Sequence, residues 1–342
     1  MIKSILFAFT IIGTAALDSQ ECRTQHHADW FCDYMSVHNR TYDDSNVHFR
    51  KRRLSMSTEY EFDGVKFGLT SRSDRFGHEM KKNKHLKDML QNPLARNEET
   101  QHVHLAAPSK LPPIDWRNHD GVSYVTPVLD QGECGCCYAF AATSVLEFWS
   151  KEDGFPKPLS VQTAMDCTSD AGQPDAGCDG GLMEYVFEYG KNHPIPLSAD
   201  FPFQEAGGKC PHTRLYSHVR VGAYKVLMRS GNRNAEKELE WILHAYGPVA
   251  AGIDSSTLDD YQSGIFKASM CSNDIDHAIT IVGYTDRAWI IKNSWGQNWG
   301  HDGYLYLEKG HNACGISEYI VYVTNAWPVH HKYTTRWKPK WI

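Results

Sequence analysis

The spacing of apolar residues changes near residue 111, and the two stretches on either side predict different structures. From residue 17 to 108 the chain is rich in charge and poor in β-branched residues, and Asn46 to Glu61 and His78 to Leu90 carry the spacing of amphipathic helices. Beyond Leu111 a helix is predicted over Cys137 to Lys151, with Tyr138, Ala141, Val145, Leu146 and Trp149 on one side. A stretch rich in glycine and cysteine follows. From Val219 onward the pattern is mainly strand, with runs at Gly222 to Leu227, Ala288 to Lys292, Gly303 to Leu307 and Tyr319 to Thr324. One helix interrupts them, capped by Asn234, turned inward through Leu239, Ile242 and Leu243, and stopped by Gly247-Pro248. There is no internal repeat. The later region therefore reads as a helical half followed by a β-rich half, and a cleft between two such halves is a natural place for a site.

The N-terminus adds a targeting signal. Lys3, the apolar run Ile5 to Ile12 and the small residues Thr14-Ala15-Ala16 predict a secretory signal peptide over 1–16, too short to span a bilayer. A secretory route, ending in a lysosome or outside the cell, puts the ten cysteines in an oxidising compartment where cysteines pair. The net charge of −6 gives no basic excess, so nucleic acid is not an expected partner. Asn39-Arg40-Thr41 is a sequon that makes Asn39 a candidate glycosylation site.

Chemistry concentrates in Gln131-Gly132-Glu133-Cys134-Gly135-Cys136-Cys137-Tyr138, where a turn feeds the first residues of the predicted helix. A helix N-terminus favours an anion, and the thiolate is the form of cysteine that attacks a carbonyl. His277, in Asp276-His277-Ala278, lies about 140 residues downstream of Cys137, and Asn293 follows in Lys292-Asn293-Ser294-Trp295-Gly296. Together with Trp299-Gly300 and Gly180-Gly181-Leu182-Met183-Glu184-Tyr185, these blocks resemble the papain family of cysteine peptidases, cathepsin L-like members above all. Cys136 departs from the family pattern, which has Ser or Ala there.

The resemblance implies an α+β, papain-like two-lobed fold, with a helical left lobe and a β-barrel-like right lobe flanking the active-site cleft. A mainly helical propeptide over 17–108 would precede a mature peptidase domain over 109–342, whose tail 327–342 runs past the usual end of the family. The implied function is thiol-dependent endopeptidase action through an acyl-enzyme on Cys137, made as a secreted zymogen. His277 would be the base and Asn293 the residue that orients it. Gln131 and the Cys137 backbone N–H would form the oxyanion hole, worth roughly 3 kcal/mol per donor. Gly135, Gly180 and Gly181 would line the cleft floor, with Asp276 and Trp295 beside the histidine. Leu182, Met183, Gly252, Ile275, Ala278 and Tyr319 would wall an apolar pocket. A one-residue shift would instead put the carboxylate of Glu318 at the pocket end and admit arginine. The interval from Gly181 to Cys210 leaves no room for the loop that makes cathepsin B-like enzymes exopeptidases. Implied disulfides are Cys134–Cys178, Cys167–Cys210 and Cys271–Cys314. In the propeptide, Gly68 and Asp74 fit the family's Gly-Asn-Phe-Asp pattern, whereas Thr70 and Arg72 stand where Asn and Phe are usual. No cofactor or metal is implied. Expected partners are protein and peptide substrates, the chain's own propeptide as an intramolecular inhibitor, and cystatin-like inhibitors, acting on a monomer.

Taken singly, Cys137 could be a buried thiol, His277 a packed histidine, Asn293 a turn residue, and Trp295 and Trp299 core aromatics. Their joint spacing favours catalysis. Two rivals remain: a disulfide oxidoreductase using the Cys134-Gly135-Cys136-Cys137 spacing, and a papain-fold binding homologue without activity.

Overall fold

The computed structural model describes residues 16–24, 29–56, 59–75, 111–151, 154–170, 177–210, 217–228 and 234–329. The expected helix over His78 to Leu90, the signal region before residue 16 and the tail beyond residue 329 lie outside them.

Strand β1 (Ala16–Leu17) pairs antiparallel with β2 (Tyr42–Asp43), and helices α1 (Ser19–Thr24), α2 (Asp29–Val37) and α3 (Asp44–Met56) pack around them. Phe31, Tyr34, Met35, Tyr42, Val47 and Leu54 form their core, tied by a Cys22–Cys32 disulfide. The helix expected over Asn46 to Glu61 ends at Met56. The chain then folds into a hairpin, β3 (Tyr60–Phe62) and β4 (Val65–Phe67), because Asp63-Gly64 supplies two successive positive φ angles of 50° and 76°. β4 continues as an added strand against Tyr261–Ser263 of the larger body.

That larger body begins with β5 (Ile114–Asp115) and the helices α4 (Cys137–Trp149), α5 (Val161–Asp170) and α6 (Met183–Asn192). It continues with β6 (Ile195–Pro196), β7 (Ser217–Met228), α7 (Ala235–Tyr246), β8 (Val249–Ile253), β9 (Tyr261–Ser263) and β10 (Ile265–Phe266), and ends with β11 (His277–Tyr284), β12 (Ala288–Lys292), β13 (Tyr304–Glu308) and β14 (Tyr319–Pro328). The strands run in the order β10-β13-β12-β11-β8-β14-β7-β6, with β5 beside β11, so the β lobe is an open path and does not close as a barrel. α7 stops where Gly247 takes φ 88°, but Asn234 makes no side-chain cap bond at its start.

The predicted one-sided burial of α4 understates its position. Nearly every residue of α4 is buried, Thr143 and Glu147 included, because the helix lies between α5, α6 and the β11 face of the sheet. A buried carboxylate needs a partner, and Glu147 has one in Lys292, 3.8 Å away. The Lys292 ammonium also donates to the hydroxyls of Thr126 and Ser144, at 2.9 and 3.0 Å. Disulfides join Cys134 to Cys178, Cys167 to Cys210 and Cys271 to Cys314. No helix among the described residues is long and apolar enough to cross a membrane.

Candidate active site

Cys137 is the first residue of α4, and His277 is the first residue of β11, so the contact between helix and sheet brings the two together. The Cys137 sulfur accepts the backbone N–H of Ala278, the residue after His277, at 3.4 Å. Its place at the helix start sets it against the positive end of the helix dipole. The imidazole Nε2 of His277 lies 2.8 Å from the side-chain oxygen of Asn293, which follows β12, the antiparallel neighbour of β11. The same oxygen accepts the Ser294 backbone N–H at 2.9 Å, so the Asn293 amide is oriented from two directions. Trp295 packs its indole on His277 with centroids 4.8 Å apart and planes 31° apart, and Trp299 braces it edge-on. All of these residues are buried, which protects the His277–Asn293 bond from water.

Gln131 is held by its surroundings. Its amide nitrogen donates to the Cys134 carbonyl at 2.8 Å, and its oxygen accepts the Ser294 hydroxyl at 2.6 Å. Gly132, next to it, has φ 59°, and a Cβ there would collide with the Glu205 carboxylate, which accepts the Glu133 backbone N–H at 2.7 Å. Gly135 donates its backbone N–H to Cys178 at 2.8 Å, and Gly180, at φ 121°, precedes buried Gly181. Cys136 sits beside Cys137 but behaves differently. It is fully buried, and burial first, then its neighbour Cys137, pushes its thiol well above the usual cysteine range.

The pocket residues also meet. Gly252 pairs in register with Ala278, and a Cβ on Gly252 would lie 2.6 Å from Ile275 and 3.2 Å from the Tyr319 ring. Leu182 and Met183 are buried where α6 begins. Asp276 turns its carboxylate to the backbone N–H and hydroxyl of Ser255, at 2.9 and 2.7 Å. Tyr319 is wholly buried and its hydroxyl donates to the Glu184 carboxylate. Glu318, by contrast, accepts from the amides of Asn273 and Asn312, both at 3.0 Å.

The comparisons with known proteins agree with this geometry. The profile described as "Papain family cysteine protease" matches residues 111–324. The chain belongs to that family. Procathepsin L of Rattus norvegicus is 30% identical over 349 residues, covering 93% of this chain and 97% of that protein. Cathepsin 7 of Mus musculus is 36% identical over 236 residues, covering 65% and 68%. Among solved structures, digestive procathepsin L 3 of the Tenebrio molitor larval midgut superposes with a TM-score of 0.67 at 25% identity, covering 86% of this chain and 98% of that one. The chain is a cathepsin L-like cysteine endopeptidase with the two-lobed α+β fold of the papain family.

Residue-by-residue reading of the sequence missed several contributors. Ser294 and Glu205 fix the Gln131 loop, and Glu184 anchors Tyr319. Asp259 and Asp260 meet the segment ahead of residue 76. Thr70 and Arg72, which depart from the family pattern, are the signal of this contact that the sequence carried.

Proposed function

We propose that the protein is a zymogen whose residues 17–108 are a propeptide and whose mature domain, 109–342, hydrolyses internal peptide bonds through an acyl-enzyme on Cys137. The observation that supports this most directly is the 2.8 Å bond between His277 and Asn293, next to a cysteine sulfur at a helix N-terminus. Cys137 gives its proton to His277, and the thiolate attacks the substrate carbonyl. The oxyanion is received by the Cys137 backbone N–H and the Gln131 amide. His277 then protonates the leaving amine, and water releases the acid by the same route in reverse. Asn293 keeps the imidazole aligned throughout. Signal peptide 1–16 directs the chain into the secretory pathway, towards lysosome or medium. Asn39, exposed at the turn after α2, carries the glycan, and cystatin-like proteins are its inhibitors in solution.

Replacing the nucleophile tests the reading. Cys137→Ala is expected to abolish turnover of a fluorogenic peptide, whereas Cys136→Ser, which restores the usual family residue, keeps most of it. Activity that survives Cys137→Ala but not Cys136→Ser would reverse the assignment. Intact thiols with no turnover of any peptide would instead favour the inactive binding homologue.

A further inference from the structure

Arg72 replaces the family's usual Phe, yet it is deeply buried. Its guanidinium carbon lies 3.9 Å from the Trp295 ring centroid, and its Nε donates to the Asp259 carboxylate at 3.1 Å. The turn around it is held by three further bonds to the same loop. Gly68 donates its backbone N–H to the Asp260 carbonyl at 2.9 Å, Thr70 its hydroxyl to the Asp259 carbonyl at 2.6 Å, and Ser73 its hydroxyl to the Asp260 carboxylate at 2.7 Å. The Ser71 hydroxyl donates to the Trp295 carbonyl at 3.1 Å. Because Trp295 also packs on His277, the cradle that holds this cation borders the catalytic histidine.

We propose that departure of the propeptide leaves an arginine-selective binding site on the mature enzyme, built from the Trp295 ring and the Asp259 carboxylate, which takes the guanidinium of an arginine in a peptide ligand. This rests on the proposed function, since the site is vacated only when the propeptide leaves. A planar guanidinium can stack on an indole and donate to a carboxylate at once, which an ammonium does less well. Burial pushes Arg72 downward and Asp259 upward in pKa, each only partly offset by the other. Arg75 and Asp130 also act on Arg72, and Asp260 and Arg53 on Asp259. A neutral ligand side chain would leave the partly buried Asp259 without its counter-charge, so the site contributes selectivity.

The probe is a labelled peptide with the sequence of Val65–Arg75, titrated by fluorescence polarisation into activated enzyme with its accessible thiol alkylated. Citrulline in place of Arg72 keeps the planar group and removes the charge, and is expected to weaken binding at least about tenfold. Lysine at that position should also bind more weakly. Asp259→Asn enzyme should bind the parent peptide less tightly and should distinguish it poorly from the citrulline peptide. Equal binding of the two peptides to unmodified enzyme, or no binding of the parent peptide, overturns the proposal. If Asp259→Asn fails to fold, the comparison of peptides on the unsubstituted enzyme decides alone. Hydrolysis of a short fluorogenic peptide by the unalkylated preparation tests the proposed function separately. Hydrolysis without arginine selectivity defeats only the arginine site, and absence of hydrolysis defeats the function.

Discussion

Two adjacent thiols at the start of one helix are placed in different chemical situations by direction and by burial. Consecutive helical residues point about 100° apart, so a base at the start of β11 can serve only one of them. The Cys137 sulfur accepts the Ala278 N–H, while the Cys136 thiol donates to the Cys134 carbonyl at 3.7 Å. That Cys137, His277 and Asn293 come together was legible in the sequence because each sits in a local block whose spacing is constrained by chemistry. Ser294, Glu205 and Glu147 were not, because a serine or glutamate acquires such a role only from partners far along the chain. Glu147 is the clearest case: its carboxylate is fully buried, burial pushes its pKa up, and Lys292 is the charge that opposes the shift. Glu147→Gln should leave the Lys292 ammonium without its counter-charge and cost about 3 kcal/mol of stability. Urea denaturation of the two proteins checks this, and an unchanged midpoint would show that the Thr126 and Ser144 hydroxyls suffice.

At the scale of elements, the residues of the expected pocket meet where β14 approaches α6. Tyr319 begins β14 and donates to Glu184 in the first turn of α6, so an aromatic ring covers a carboxylate. The pocket should favour Leu, Val or Phe two residues before the cut, and Tyr319→Ala should uncover Glu184 and raise the acceptance of arginine there. A peptide-library profile of both enzymes reads this directly, and an arginine preference already present in the unsubstituted enzyme would refute it. Beyond the end of β8, Asp254 links two loops. Burial works to raise its pKa, but hydrogen bonds from the Ser272 hydroxyl and backbone N–H and from the Ser256 backbone N–H prevail, leaving it below the ordinary carboxylate value. A depressed carboxylate contributes stability that is present above its unfolded pKa of about 3.9 and is lost as pH falls through the lower folded value. The melting-temperature gap between the protein and Asp254→Asn should accordingly be constant at neutral pH and shrink below about pH 4. A gap that persists into stronger acid would mean that the bonds do not depend on the charge.

For the whole molecule, the division into a helical half and a β-rich half was readable from periodicity, because α4, α7 and the long strands keep their patterns over many residues. The boundaries of the early region were not. The Asp63-Gly64 turn overrode the apparent helix, and β4 finds its partner almost two hundred residues later, beyond the reach of local pattern. The departures of residues 68–74 from the Gly-Asn-Phe-Asp pattern become intelligible only in three dimensions. Asp74 accepts the hydroxyls of Tyr34 and Tyr42 at 3.0 and 2.6 Å and lies 3.3 Å from the Arg40 Nε, while Arg72 reaches Trp295, which packs on His277. On the proposed function, latency and catalysis would meet at one indole. Latency should end when residues up to about 108 are removed, helped by acid. The most direct test treats uncut precursor at neutral pH, and the acid-processed enzyme, with an epoxide-type thiol inhibitor and maps the adduct by mass spectrometry. The account predicts a single adduct, on Cys137, in the processed enzyme and almost none in the precursor; an adduct on Cys136, or equal labelling of both forms, would contradict it.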